Sequence, residues 1–356
     1  MRFQRHLFST DSLRRSLLKI ATFAPVGFLL SFLLPPRSEA RMMGVTSHVQ
    51  CAYTTERVTL LSNGVELIGR LYLPTRLSQP APAVPLLGPV AFVKEQSPVQ
   101  YATRLAKAGF VSLAFDPRFH GESGGEPRRY ESPAAKVADL KAAIDYLLTR
   151  PEVAQDRLYL LGVCQGANWA IHATTEDPRI RALAIVAGHY LTAAGIDDYT
   201  GGEDKTLTRI ERSQQARAQY EERGEVEYMP IVSLDDPDAL LPRRPIYEWY
   251  RRWEDRGPFW EFHGNWENRI TAMSEAELWT YRVDETVKTL NKPTLMIHAD
   301  RAATGATEPK RIFAQIATPD KQLVWLGNSV QFQFYEEPET IDQCVTQIAE
   351  WFNRHA

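Results

Sequence analysis

One cysteine stands where an attacking group would be expected. Leu158-Tyr159-Leu160-Leu161-Gly162-Val163-Cys164-Gln165-Gly166-Ala167-Asn168-Trp169-Ala170 ends an apolar run in Gly-x-Cys-x-Gly and continues in small residues. The pattern describes a nucleophile elbow, in which a strand stops, the chain turns through one strained residue and a helix begins. Glycines on either side let strand and helix backbones approach closely. A thiol at the apex would attack a carbonyl carbon, with nearby amide N–H groups holding the charge on the oxygen. The competing reading is a buried cysteine ending a core strand, since free cysteine is among the most buried residue types.

Such a site needs elements on both sides of it. Arg57 to Leu61 and Val65 to Leu73 read as strands joined by a Ser62-Asn63-Gly64 turn. After Pro-rich residues 74–85, Leu86 to Phe92 is apolar, and Ser97-Pro98 through Gly109 reads as a helix with a capping Ser, an early Pro and a terminal Gly. Phe110 to Phe115 is a strand, and Ser132-Pro133 opens a helix with Val137, Leu140, Ile144, Leu147 and Leu148 on one face. The elbow strand and its helix follow, then strands at Ala182 to Ala187, Pro293 to His298 and Lys321 to Leu326, and a last helix from Pro338 to Phe352. Strands alternating with helices imply an α/β class, with a mainly parallel, doubly wound sheet and an antiparallel hairpin at one edge. Residues 191–290 differ. They begin with a charged helix over Thr206 to Arg223 and go on to Tyr247, Trp249, Tyr250, Trp253, Phe259, Trp260, Phe262 and Trp266. An insertion at the carboxyl end of a strand is where a lid sits. Its aromatics either form the lid's own core or wall an apolar acyl or ring-binding pocket.

The elbow, the strand order and the lid together resemble the α/β-hydrolase fold, in its dienelactone-hydrolase-like branch with a cysteine at the elbow. The likeness covers nearly all of residues 55–356. It is carried by the elbow, by Phe115-Asp116-Pro117-Arg118-Phe119-His120-Gly121-Glu122-Ser123-Gly124-Gly125 and by Lys94-Glu95-Gln96. The resemblance implies a core of residues 41–190 and 291–356, with the helical lid of 191–290 inserted after the sixth strand. It also implies two oxyanion amides, those of Phe92 or Val93 and of Gln165. The family places a His after the last strand and a carboxylate after the strand before it. Here Gln331 occupies the His position, Asp300 is the nearest carboxylate, and Ala302 stands where many relatives keep their acid. His189, His120 and His298, each at a strand's carboxyl end, are the other candidate bases. Glu95 reads as a helix-start carboxylate rather than a partner of Cys164.

A free thiol titrates at about 8.5, and the helix after the elbow offers partial positive charge that favours thiolate. The resulting expectation is a hydrolase of an ester, lactone or thioester with a partly apolar acyl group, whose base is unconventional or absent. A helix-stabilised thiolate would then attack directly. The alternatives are a non-catalytic binding protein on this fold, or an acyltransferase or lyase.

The address lies at the start of the chain. Arg14-Arg15-Ser16-Leu17-Leu18-Lys19, an apolar run from Ile20 to Leu34 and Ser38-Glu39-Ala40 read as a twin-arginine-like signal peptide over residues 1–40. That implies export to the periplasm, with an uncleaved membrane anchor as the alternative. Of 356 residues, 44% are hydrophobic, ample for a large core. Removing residues 1–40 takes six basic and two acidic side chains from 41 and 44, leaving 35 and 42 and a net charge of −7. An acidic chain without basic runs argues against nucleic acid as a partner. No His/Cys cluster has zinc-like spacing, so neither metal nor other cofactor is expected. Three cysteines are too few for a disulfide framework, although Cys51 and Cys344 are free to pair.

Overall fold

The computed structural model describes residues 52–254 and 266–356. The signal-like segment 1–40, Cys51, Phe259, Trp260 and Phe262 lie outside the described residues, so no contact of theirs is drawn on below. Among the described residues, no helix is long and apolar enough to cross a membrane.

The chain opens with β1 (Tyr53–Ser62) and β2 (Val65–Pro74), paired antiparallel from Tyr53 opposite Pro74 to Ser62 opposite Val65. The turn between them is Asn63-Gly64, with φ of 48° and 82°. Two left-handed residues match the right-handed twist of a hairpin, and Asn-Gly tolerates them best. Then follow β3 (Ala81–Leu87), α1 (Ser97–Lys107), β4 (Val111–Phe115), α2 (Pro133–Leu148), β5 (Val153–Val163), α3 (Gly166–Glu176) and β6 (Ile180–Val186). After a long insertion come β9 (Thr294–His298), α9 (Thr307–Gln315), β10 (Lys321–Trp325), α10 (Gln333–Glu336) and α11 (Pro338–Arg354). The insertion holds α4 (Ala193–Thr200), α5 (Glu203–Arg223), β7 (Tyr228–Met229), α6 (Arg244–Glu254), β8 (Ile270–Thr271), α7 (Ser274–Thr280) and α8 (Val283–Thr286).

The eight long strands run in the order β1-β2-β4-β3-β5-β6-β9-β10, with every pair from β4 onward parallel. This is the expected doubly wound α/β-hydrolase sheet, with the hairpin at its edge. The reason for its two covered faces is topological. The connection β3 to β4 steps one way along the sheet and β4 to β5 steps back past β3, so right-handed crossovers put α1 and α2 on opposite faces. Both faces being covered, β4 is buried along its whole length and β5 and β6 through their cores. The reversal leaves a crevice at the carboxyl ends of β3 and β5, where a ligand site is expected in this architecture. Cys164 follows β5 directly.

One local detail differs from expectation. At the start of α1, Ser97 is already helical and Gln96 takes the capping position without a side-chain cap bond. Cys344 is buried on α11 as a free thiol. Its neighbour is Tyr101, whose hydroxyl donates to the Phe334 carbonyl at 2.7 Å.

Candidate active site

The elbow is built from close backbone approach. Cys164 sits at φ 56°, a left-handed conformation that costs a side-chain-bearing residue strain of about 1–3 kcal/mol. The surroundings hold it there. Its N–H donates to the Val186 carbonyl at 3.0 Å, and its own carbonyl accepts from Ala167 and His189, both at 3.1 Å. A Cβ at Gly162 would lie 2.6 Å from the Gly166 carbonyl oxygen, and one at Gly166 would lie 2.6 Å from that of Leu87. Only glycine lets α3 start this close to β3 and β5. Asn168 then ties α3 to the loop after β6, donating to the His189 carbonyl at 2.8 Å and accepting from Leu191 N–H at 3.0 Å.

Two backbone amides face the Cys164 sulfur, those of Gln165 and Val90. Gln165 was expected; Phe92 and Val93 were not the right partners for it. The Val93 N–H is taken by the Gln96 side chain at 3.2 Å, and Phe92 is fully buried in the core. The reason lies in the turn after β3. Ala91 has φ 50°, which swings its N–H away to Glu131 Oε2 at 3.3 Å and leaves the Val90 N–H aimed at the sulfur. The loop's carbonyls are held from the lid, with Tyr250 Oη donating to Val90 at 3.0 Å and Trp266 Nε1 donating to Ala91 at 3.0 Å. The side chains that fix this loop are far apart in sequence, so spacing alone misplaced the amide by two or three residues.

The family-like stretches Lys94-Glu95-Gln96 and Phe115–Gly125 meet beneath this loop. Buried Lys94 reaches Asp116 at 2.7 Å, Glu122 at 2.5 Å and Glu95 at 2.9 Å. Asp116 also accepts from the backbone N–H groups of Lys94 at 2.7 Å and Glu122 at 2.9 Å. Glu95 is thus an ion-pair partner of Lys94, and burial pushes its carboxyl above the usual range. His120 belongs to a second buried cluster. Its Nε2 lies 3.1 Å from Glu131, which also binds Lys136, and its Nδ1 faces the Arg118 carbonyl at 3.0 Å. Lys136 and His120 hold the Glu131 carboxyl down at about 2 against the opposing effect of burial. His120 supports the loop and is not a base for Cys164.

On the opposite side of the sulfur stands Gln331, in the position expected for the base. An amide cannot take a proton at neutral pH, and this one is fully engaged. Its Oε1 accepts from Ala303 N–H at 2.7 Å, while Nε2 donates to the Ala187 carbonyl at 3.0 Å and to Tyr335 Oη at 2.8 Å. Tyr335 was missed by sequence reasoning; the one available signal was its spacing four residues after Gln331, which places it on α10. With its oxygen accepting from Gln331, the Tyr335 hydroxyl proton is free for Cys164, which it faces. The chain of donors from Ala303 through Gln331 and Tyr335 therefore ends at the sulfur.

Asp300 does not join this group. It is exposed, and its Oδ1 accepts from the Trp325 indole at 3.1 Å. The reason is position: Asp300 stands two residues after the end of β9, just ahead of the stretch from Arg301 to Gly305 that lines the cavity. His298 is fully buried between the carbonyls of Ala299 at 3.0 Å and Gly188 at 3.2 Å, a packed histidine. His189 shares the cavity with Cys164. Among the described residues its imidazole has no hydrogen-bond partner, only the Tyr199 ring tilted against it with centres 4.7 Å apart. Burial and the nearby Arg243 charge push it down to about 4, so it is neutral at pH 7.

The expected resting thiolate is contradicted. Burial pushes the Cys164 thiol up to about 11, although Tyr335, Gln165, Gln331 and Val90 all pull the other way. A helix N-terminus contributes at most about 2 kcal/mol, or roughly 1.5 pKa units. That is too little to bring the group to neutrality, so at pH 7 Cys164 is a thiol.

The site opens into a cavity of about 540 Å³, within the range that holds drug-sized ligands. Val90, Leu241, Ile246, Tyr250, Phe332 and Tyr335 supply much of its apolar wall. The lid aromatics divide between the two expected roles. Tyr250 walls the cavity, while Trp249 packs on Phe332 at 5.7 Å and Tyr335 at 5.1 Å and bonds Glu336 at 3.2 Å.

Known proteins share this fold. The profile of the family described as serine aminopeptidase, S33, matches residues 97–251. The uncharacterised protein PA2218 of Pseudomonas aeruginosa is 31% identical over 82% of this chain and 78% of its own. Its crystal structure superposes with a TM-score of 0.72 over 86% of this chain and 94% of that one. The structure of the α/β hydrolase GrgF from a Penicillium species gives 0.69 at 21% identity, covering 85% and 98%. A thiohydrolase of Aspergillus aculeatus is 33% identical over 36% of this chain and 39% of its own length. With the sheet order, the elbow and a relative of this identity and coverage in agreement, the chain belongs to the α/β-hydrolase superfamily.

Proposed function

We propose that the protein is an acyl-transfer enzyme in which Cys164 takes an apolar acyl group from a thioester. One observation carries the reading: a strained cysteine at the floor of an apolar cavity, with the N–H groups of Gln165 and Val90 turned toward its sulfur. Two such donors, aimed where an oxyanion forms, supply the preorganised stabilisation that acyl transfer needs.

The substrate class follows from the missing base. The Cys164 sulfur bonds to the carbonyl carbon, whose oxygen takes the negative charge between the two amides. The bond to the leaving sulfur then breaks, and that sulfur departs carrying the proton Cys164 gave up. A leaving thiol near 8.5 is expelled in preference to a Cys164 thiolate near 11, because the less basic thiolate leaves faster. An alkyl ester lacks this advantage, since its alkoxide is far more basic than the Cys164 thiolate and leaves more slowly. For the same reason Cys164 is a slow leaving group from the acyl-enzyme. The intermediate therefore accumulates until an acceptor arrives, whose proton leaves on the expelled Cys164 sulfur; His189 lines the same cavity. Relatives named thiohydrolase and polyketide transferase support chemistry of this kind.

The dienelactone-hydrolase-like branch and export to the periplasm belong to the same proposal, the latter on the charge and hydropathy of residues 1–40. The lock on Gln331 favours a second reading, a binding protein that has lost catalysis. Incubation with octanoyl-N-acetylcysteamine followed by intact-protein mass spectrometry separates them. The proposal expects an octanoyl adduct on the wild-type chain and none on Cys164→Ala. Absence of adduct at millimolar thioester, with the ligand nevertheless bound, would establish the binding protein instead.

A further inference from the structure

The cavity has a charged rim that the acyl chemistry does not use. Arg243 and Arg301 both line it, and both are exposed at its opening. Each is held in place through its own segment. Arg301 lies in the loop after β9, where its backbone bridges Val330 in the loop that carries Gln331. Arg243 donates to the Asp198 carbonyl at 3.1 Å and stacks its guanidinium 5.2 Å from the centre of the Tyr199 ring. Among the described residues neither guanidinium has a carboxylate partner. Among the described residues Asp198 is the one carboxylate on the cavity lining, and its side chain pairs with neither. The rim thus carries two fixed positive charges against one negative.

We propose that the ligand of this cavity carries an anionic group, a carboxylate or phosphate, at the end remote from its thioester carbonyl, and that Arg243 and Arg301 bind it. The inference rests on the thioester reading for where the carbonyl sits, on Cys164. An apolar acyl or thiol arm leaving the oxyanion amides runs along Tyr250, Leu241 and Ile246 toward the rim. There a neutral end group would give neither guanidinium a counter-charge, whereas an anion gains charge-assisted and bidentate hydrogen bonds. The Arg243 field also reaches the interior, since it is one of the two causes that keep His189 neutral. A low-dielectric cavity with one sign of excess charge concentrates ligands of the other.

The anion belongs either to the acyl arm or to the leaving thiol, and three unreactive thioethers tell these apart by calorimetry. S-octyl-N-acetylcysteamine is neutral, S-(7-carboxyheptyl)-N-acetylcysteamine carries a carboxylate on the acyl side, and S-octyl-N-succinylcysteamine carries it on the thiol side. One of the two anions is expected to bind the wild-type protein about tenfold more tightly than the neutral probe. That preference should shrink with added salt and fall to about twofold or less in the Arg243→Gln/Arg301→Gln double variant. Equal affinity for all three probes, or a preference that survives the double substitution, would overturn the proposal. Because Cys164 cannot open a thioether, failure of acyl-enzyme formation leaves this outcome standing, and the reverse also holds.

Discussion

The ionisation of Cys164 is the property on which the mechanism turns, and its reactivity with iodoacetamide reads it directly. With the thiol pushed up to about 11, roughly one molecule in a thousand is thiolate at pH 8. An ordinary cysteine near 8.5 is about one-quarter ionised at the same pH, a difference of roughly 240-fold. The more basic thiolate is intrinsically more nucleophilic, which returns about tenfold over this pKa gap. Cys164 should therefore be alkylated about 20-fold more slowly than a cysteine in a short peptide at pH 8. Its rate should climb close to tenfold per pH unit from 7 to 10 without levelling off. Peptide mass spectrometry after trypsin separates Cys164 from Cys51 and Cys344. Restricted access to a residue 7% exposed would lower the whole curve but leave its slope unchanged, so the slope is the diagnostic quantity. Tyr335→Phe removes one donor to the sulfur and should shift the curve further toward high pH. A plateau at or below pH 8 would refute the reasoning, because the helix start and the donor chain would then outweigh burial.

The same ionisation has a consequence for stability. A group raised on folding contributes fully below its unfolded value and loses that contribution as pH rises through the folded one. Cys164 should therefore cost the fold about 2–3 kcal/mol between pH 9 and pH 11, and urea midpoints should fall less steeply over that range in Cys164→Ala. Glu131→Gln strands the buried Lys136 charge and should destabilise by about 3–5 kcal/mol, seen as a lowered thermal midpoint at pH 7. The wild-type contribution of Glu131 is present above its ordinary value and is lost as pH falls from there to about 2, so stability should fall less steeply across that window in the variant. Tyr250→Phe leaves the buried Val90 carbonyl without its donor, at about 1–3 kcal/mol, and frees the oxyanion loop. It should slow octanoyl adduct formation more than it weakens binding of the neutral thioether; the opposite pattern would place Tyr250 in the wall alone. Gly166→Ala sets a methyl group 2.6 Å from the Leu87 carbonyl oxygen, backbone against backbone, and should fail to give a folded circular dichroism spectrum or lower the midpoint severely.

The sequence by itself determined the α/β-hydrolase sheet, the elbow and the long insertion. Each follows from local rules acting over a few neighbouring residues: apolar runs alternating with amphipathic helices, Asn63-Gly64 for the hairpin, Gly162 and Gly166 for the close approach around Cys164. The Gln331 position was legible too, because it depends only on counting back from Phe334-Tyr335-Glu336 after the last strand. What those rules could not reach was anything set by groups distant in the chain. Val90, rather than Phe92 or Val93, presents its amide because Glu131, Tyr250 and Trp266 fix the turn around Ala91 from three separate elements. Asp300 points away and Tyr335 points in for reasons of loop direction that spacing does not encode. The charge state of Cys164 was the largest misjudgement. A helix start is visible in sequence, but desolvation depends on how completely the lid and the last loop enclose the sulfur. Burial is a property of the whole assembled site, and here it outweighs the local field that the elbow alone would supply.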